Sequence, residues 1–153
     1  MTASPATSGL MRRFLALDGS ERRLLLAAAF AMPVFALALR LAGIDRMQRW
    51  VGSVTGVRRE GAAPARIAWL AAAAARHGPI RATCLVRGLL TTYLLRRRGF
   101  DACLRVGVRL VEGRLEAHAW TECDGIALGE AADVAERYAP FADALGAAPN
   151  PSP

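Results

Sequence analysis

A long hydrophobic stretch lies near the start of the chain. The residues from Leu24 to Leu39 carry no charge, and Pro33 lies near their middle. Ser20 is suited to cap the N-terminus of a helix, and Glu21 would stabilise its first turn. At about 1.5 Å per residue the stretch would be roughly 24 Å long, short of the ~30 Å hydrocarbon core of a bilayer. We expect a helix packed on the rest of the protein. The alternatives are a helix docked on a partner or membrane surface, and a membrane span.

Three more helices are predicted before residue 100. Gly43 is suited to end the first helix, and a loop rich in Gly, Arg and small residues follows the second. Thr83 is a good N-cap for the last helix, and Gly99 is suited to the turn that follows it. Apolar residues of this last helix recur at helical spacing, so they should face the core. The predicted ranges are 44–51, 65–76 and 84–98.

After Gly99 the spacing of the apolar residues changes from helical to alternating. Glu112-Gly113 predicts a turn, with a second strand over 114–122, and Asp124-Gly125 predicts a hairpin to a third strand that begins at Ile126. Helices followed by an antiparallel meander predict an α+β fold. In the first strand every second residue is apolar. These residues are predicted to form its buried face: Leu104, Val106, Val108 and Leu110.

Composition narrows the class of protein. The chain has 153 residues, 54% of them hydrophobic, which is enough to fill a core. The net charge of +7 favours acidic partners, but Arg96, Arg97 and Arg98 are not interleaved with stacking aromatics, so nucleic acid is not an expected partner. Three cysteines and two histidines lack metal-binding spacing, so neither a metal site nor a cofactor is expected. An odd number of cysteines fits a reducing cytoplasm.

Two residues are candidates for nucleophilic catalysis, Cys84 at a predicted helix start and His118 on the second predicted strand. Unpaired backbone N–H groups at a helix N-terminus favour the thiolate form of a cysteine. An imidazole on a facing strand can take or hold its proton. The pair therefore predicts acyl transfer, most often peptide cleavage. The alternatives are a cysteine that only fills space and a histidine without a catalytic role.

A third group must orient the imidazole, and the hairpin register decides which carboxylate reaches it. With a two-residue loop at Asp124-Gly125, His118 faces Ala131. With a three-residue loop and a G1 bulge, His118 lies directly opposite Glu130. We therefore rank Glu130 first, with Glu116 as its rival, because Glu116 lies on the same face of the strand two residues away. Trp120, also on that face, would shield the ion pair or line a substrate groove.

Four segments of the chain match a known pattern: 83–87 (TCLVR), 97–100 (RRGF), 104–108 (LRVGV) and 117–122 (AHAWTE) followed by Asp124-Gly125. They resemble the lasso-peptide leader peptidases, the stand-alone protease form of the lasso-peptide B protein, which has a transglutaminase-like or papain-like core. The resemblance covers about residues 65–130. It implies Cys84 as the nucleophile and His118 as the general base. Glu130 falls where the family usually has an acidic residue, commonly Asp. Arg87 matches a recurrent arginine that is either structural or in contact with the substrate backbone.

The resemblance also implies a function and partners. The family removes the leader from a ribosomally made precursor peptide that a separate small leader-binding protein delivers. A cyclase resembling asparagine synthetase then closes a macrolactam ring. We therefore expect a cysteine peptidase that acts through a thioester. The alternatives are an amine-directed transglutaminase or amidase with the same triad, and a non-enzymatic membrane-associated scaffold built around the 24–39 helix.

Four regions are expected along the chain. They are a flexible N-terminal tail (1–19), a helical arm (20–64), a transglutaminase-like peptidase core whose cysteine-bearing helix packs on the meander (65–145), and a disordered C-terminal tail (146–153). The hydrophobic stretch begins too late for a signal peptide, so we expect a cytoplasmic protein. Membrane association through residues 24–39 is compatible with that location.

Overall fold

A computed structural model describes residues 14–58, 61–131 and 133–140 of the protein. The elements run helices first and strands second, which confirms the predicted α+β class. The predicted C-terminal tail and residues 1–13 of the predicted N-terminal tail lie outside the described residues, and the division into arm and core stays a prediction. The helices are α1 (Gly19–Ala42), α2 (Ile44–Ser53), α3 (Pro64–His77), α4 (Cys84–Arg96) and α5 (Val134–Arg137), and the strands are β1 (Ala102–Val111), β2 (Arg114–Cys123), β3 (Ile126–Leu128) and β4 (Ala139–Pro140).

Helix α1 is capped by Asp18, so the predicted cap at Ser20 is wrong. Oδ1 of Asp18 accepts hydrogen bonds from the backbone N–H groups of Ser20 at 2.7 Å and Glu21 at 2.8 Å. The Glu21 carboxylate in turn accepts from the Asp18 backbone N–H at 3.2 Å. This reciprocal capping box requires a glutamate three residues after the cap, and that spacing selects residue 18.

Helix α1 has one face in the core and one face in solvent. Its buried residues are Leu24, Ala28, Met32 and Phe35, and they pack against α3 and α4. This agrees with the expected packing of the helix on the rest of the protein. By length and composition alone α1 could also cross a membrane, and 22% of its most hydrophobic 18-residue segment is buried in the protein. Helices in the cores of soluble proteins can be equally long and apolar.

Helices α1 to α4 and one face of the sheet enclose the main hydrophobic core. Fully buried side chains of α3 and α4 lie at its centre, and burial of each is worth about 1.5–3 kcal/mol. Helix α4 ends at Arg96, two residues earlier than predicted. Gly99, at φ +76°, reverses the chain there, and the Phe100 N–H donates to the Leu95 carbonyl at 3.1 Å. The central side chains are Ile67, Leu70, Leu89, Leu90 and Leu95.

The antiparallel sheet has the strand order β3-β2-β1-β4. It packs closely on α4 at Gly88. Only glycine fits at this position, because a Cβ there would lie 2.6 Å from Cδ1 of Leu104. The Thr121 hydroxyl donates to the Gly88 carbonyl at 3.1 Å and fixes this contact. Ala119 and Thr121 therefore face α4, and the residues that alternate with them, His118, Trp120 and Glu122, face the other side of β2.

Two details of the strands differ from the prediction. Leu110 was assigned to the buried face of β1, yet it is exposed, because the β1–β2 hairpin extends past the helices. Gly107 alternates with the apolar residues of this strand, so the pattern predicts it on the opposite, exposed face, yet it is buried. Segment 134–140 covers that second face and adds a small cluster of Trp120, Val134 and Tyr138. The part of the sheet next to the histidine is therefore covered on both faces.

Candidate active site

Cys84 is the first residue of α4, as predicted. Thr83 caps this helix, and its hydroxyl accepts a hydrogen bond from the Val86 backbone N–H at 3.3 Å. The thiol is partly exposed. The first-turn N–H groups of a helix have no intrahelical acceptor, so the sulfur lies beside a concentration of positive partial charge.

His118 lies on β2 with its ring on the face turned away from the body of α4. Two aromatic rings flank the imidazole there. The Trp120 ring stacks at 6.1 Å between centroids with 19° between planes, and the Tyr138 ring lies at 5.2 Å, tilted by 37°. These contacts restrict the rotation of the imidazole, which is 21% exposed.

Glu130 bridges His118 to α4. Its Oε2 lies 3.2 Å from Nε2 of His118, and its Oε1 accepts a hydrogen bond from Nη2 of Arg87 at 2.5 Å. The carboxylate is only 17% exposed, so both contacts are partly shielded from water. The structure thus brings together three of the residues singled out from the sequence, His118, Glu130 and Arg87.

The register that favoured Glu130 is nevertheless wrong. β2 and β3 pair Thr121 with Leu128 and Cys123 with Ile126, which is the two-residue loop. β3 ends at Leu128, and Gly129, at φ +70°, turns the chain out of the ladder. Glu130 reaches the imidazole from this turn at the edge of the sheet. It does not reach it as a cross-strand neighbour.

Arg87 connects this assembly to the candidate nucleophile. It follows Cys84 by three residues on α4, and side chains at this spacing have Cβ atoms about 5–6 Å apart. Within the described part of the chain, the Cys84 thiol makes no hydrogen bond to the His118 ring. The first turn of α4 and the histidine are therefore linked through Arg87 and Glu130. Catalytic hydrogen bonds are often loose before substrate binds.

Two other carboxylates, one on β2 and one in the turn after it, are engaged elsewhere. Glu116 accepts two hydrogen bonds from the Arg109 guanidinium, at 2.6 and 2.9 Å, directly across the β1–β2 pair. Asp124 lies in the hairpin turn, 3.7 Å from the sulfur of Cys123. The geometry supports Glu130 over both as the group that orients the imidazole.

The predicted substrate contacts of Trp120 and Arg87 stay predictions. The Trp120 indole is 3% exposed, and its Nε1–H donates to the Glu122 carboxylate at 3.1 Å. Its ring contacts are with His118 and Tyr138, so what the structure shows for it is a packing role. Arg87 is 30% exposed and contacts Glu130.

Sequence reasoning missed Tyr138 and Gly107. Gly107 pairs with His118 across β1 and β2, and a Cβ on it would lie 2.8 Å from Cβ of Tyr138 and 3.1 Å from Cη2 of Trp120. Glycine thus leaves the space in which Tyr138 packs beside the imidazole. The Arg109 guanidinium covers the other side of Tyr138, 4.8 Å from its ring centroid. A glycine inside an alternating strand was the available signal for this close approach.

The two other cysteines are poor nucleophiles near neutral pH. Burial raises the pKa of the Cys123 thiol to about 11, and the negative charge of Asp124 adds to this effect. Burial of the sulfur also raises the pKa of the Cys103 thiol, although the residue as a whole is exposed on β1. A raised thiol pKa leaves less of the reactive thiolate at neutral pH.

Iodoacetamide is therefore expected to alkylate Cys84 first at neutral pH. Cys103 should follow as the pH rises toward its raised pKa, and Cys123 should react last because it is also buried. Timed alkylation followed by peptide mass mapping, at neutral and at mildly alkaline pH, measures the order. Labelling of Cys103 before Cys84 would show that Cys84 is not an activated thiol, as the scaffold alternative requires.

Comparison with known proteins identifies the family. Residues 25–143, most of the chain, match the model of the transglutaminase-like superfamily. No curated protein and no solved structure matches the chain. Among the described residues, no group of three or more His, Cys, Asp or Glu side chains is placed to hold a metal ion. The protein belongs to the transglutaminase-like superfamily, and this membership supports a function of the cysteine-protease or acyltransferase type.

Proposed function

We propose that the protein is a cysteine peptidase that removes the leader from a ribosomally made lasso-peptide precursor. One observation carries the enzymatic part: the Glu130 carboxylate joins His118 to Arg87, one turn after Cys84. Membership of the transglutaminase-like superfamily supports the same class of chemistry. The choice of a lasso-peptide leader as substrate rests on the resemblance of the segments around Cys84 and His118.

Glu130 selects which imidazole nitrogen is the base. A carboxylate oxygen 3.2 Å from Nε2 favours the tautomer in which Nε2 carries the proton and its N–H donates a hydrogen bond to Glu130. Nδ1 is then the unprotonated nitrogen that accepts the proton of Cys84. The carboxylate also stabilises the imidazolium that forms after this transfer.

The proposed reaction has two halves. The Cys84 sulfur attacks the carbonyl carbon at the junction of leader and core, and His118 takes the thiol proton. That proton passes to the departing amine, which becomes the N-terminus of the core peptide, and the leader stays on Cys84 as a thioester. Water then attacks the thioester and gives a proton to His118. The sulfur leaves, is reprotonated by His118, and the leader departs with a free carboxylate.

The backbone N–H of Cys84 is the proposed donor to the oxyanion. It belongs to the first turn of α4, where N–H groups lack intrahelical acceptors. Donors of this kind stabilise the negative oxygen of a tetrahedral intermediate without moving. The attacked carbonyl oxygen would lie next to the nucleophile, so one residue would supply both groups.

The partners are proposed on the same resemblance. A separate leader-binding protein would present the precursor, and a cyclase resembling asparagine synthetase would consume the freed core peptide. Precursors are made in the cytoplasm, so we propose the same compartment for this protein. The exposed face of α1 adds a proposed membrane contact.

Mass spectrometry of a reconstituted reaction tests the function. The purified protein, the cognate precursor and its leader-binding protein should give a leader and a core peptide whose masses add to that of the precursor plus one water. The amine-directed alternative, which the family itself supports, predicts a crosslinked or amine-adducted product when a primary amine is supplied. Such a product without hydrolysis would overturn the peptidase, and an unchanged precursor under both conditions would overturn both enzymes.

A further inference from the structure

Helix α1 presents a continuous apolar face to solvent. Its exposed large side chains recur every three or four residues, and the stripe lies opposite the buried face of the helix. Each of these side chains is between 46% and 78% exposed. Scattered exposed apolar residues are ordinary, whereas a contiguous row marks an interaction surface. We call this row the α1 stripe: Leu26, Phe30, Val34, Leu37 and Leu41.

The chemistry of the α1 stripe favours lipid over protein as its occupant. The neighbouring residues on this side of the helix are Ala27, Pro33 and Ala38, so its side chains offer no hydrogen-bond donor or acceptor. Most backbone groups within the helix are paired, although Pro33 has no N–H to donate to the Ala29 carbonyl. Protein interfaces of ordinary size carry about one hydrogen bond per 100–200 Å². Acyl chains require none, and a row of side chains without polar groups suits them.

The charges around the α1 stripe are mainly positive. Arg23 and Arg40 are exposed near its two ends, and Arg46 and Arg49 are exposed on the adjoining helix α2. Two acidic residues precede the stripe: Glu21 is bound to the Arg66 guanidinium at 2.6 Å, and Asp18 accepts hydrogen bonds from the first turn of α1. Asp45 follows the stripe at the start of α2. Arginines beside an apolar helix face are complementary to anionic headgroups.

The opposite face of α1 sets the orientation. Met32 is fully buried and Phe35 nearly so, both packed in the core that α1 shares with α3 and α4. A transverse orientation in a bilayer would remove these side chains from that core. The stripe from Leu26 to Leu41 is about 22 Å long at 1.5 Å per residue, so the whole row can lie in one plane. From these observations we infer that the α1 stripe binds the surface of an anionic membrane, with the helix axis in the membrane plane.

Co-flotation with lipid vesicles tests this inference. The full-length protein should float with phosphatidylcholine vesicles that contain phosphatidylglycerol. It should bind pure phosphatidylcholine more weakly, and added salt should weaken its binding to the anionic vesicles. The Phe30→Gln/Leu37→Gln variant should lose about a hundredfold in partition coefficient, because two large apolar side chains no longer enter the interface. Its thermal midpoint should stay close to that of the wild type, since both positions are exposed.

A matched control removes two exposed apolar side chains from another part of the protein. Leu110 and Leu115 face each other across the β1–β2 hairpin and are 73% and 70% exposed. The Leu110→Gln/Leu115→Gln variant should bind vesicles like the wild type, and both variants should cleave precursor normally in solution. Failure of the wild type to float, or equal flotation of the two variants, would overturn the inference. If the wild type does not float, its oligomeric state distinguishes the other occupants. A dimer that the Phe30→Gln/Leu37→Gln variant abolishes would assign the stripe to a second copy, and a monomer would leave it to a protein partner. Both results overturn lipid binding.

Discussion

Replacement of Cys84 by Ala is expected to lower the rate of leader removal by at least about a thousandfold. The alanine variant has no atom that can form the thioester, so the covalent route is lost. The exposed fraction of the side chain is intermediate, and the loss of one sulfur should disturb α4 little. Single-turnover product formation, followed by mass spectrometry with the leader-binding protein present, gives the rate.

Cys103→Ala is the matched control for this experiment. It removes a thiol from β1, far along the chain from the first turn of α4, and should cleave at the wild-type rate. Thermal unfolding of both variants reports whether either has lost its fold. Cleavage by folded Cys84→Ala at a rate near that of the control would exclude Cys84 as the nucleophile.

Replacement of Glu130 by Gln is expected to lower kcat by about a hundredfold, with a smaller effect on KM. The amide keeps the shape of the carboxylate but loses its charge, and it presents an NH2 group to Arg87 or to His118, both of which need an acceptor. Glu130→Asp should retain more activity, because it keeps the charge. Its side chain is one methylene shorter, so it cannot reach Arg87 and His118 equally well. Wild-type kcat in Glu130→Gln would contradict an orienting role.

The role of Arg87 can be separated by a double-mutant cycle with Glu130. If Arg87 acts by holding the carboxylate, Arg87→Ala combined with Glu130→Gln should be about as slow as the slower single variant. If Arg87 instead contacts the substrate, its loss should raise KM, and the two effects should multiply. The observed contact, Nη2 of Arg87 to Oε1 of Glu130, favours the first result.

Local patterns predicted the elements on which the candidate site is built. Thr83 capped the helix that begins at Cys84, and the change from helical to alternating spacing placed His118 on a strand. Asp124-Gly125 correctly indicated a hairpin, since both residues adopt positive φ in its turn. Each of these signals acts between residues a few positions apart, so the sequence is sufficient to express it. Even so, the cap of α1 was misplaced, because Ser20 and Asp18 are both good caps and only the distance to Glu21 distinguishes them.

The sequence by itself thus determined the α+β class, the order of the elements from α1 to β3 and the positions of the thiol and the imidazole on them, but it did not predict α5 or β4. The tertiary structure alone decided which groups those two side chains meet. Arg87 and Glu130 are 43 residues apart, and their contact depends on the turn at Gly129 and on how β2 packs against α4. Tyr138 reaches the imidazole only because a later segment folds over Gly107. Contacts between distant residues follow from the packing of whole elements, and neither hydrophobic period nor local propensity encodes that packing.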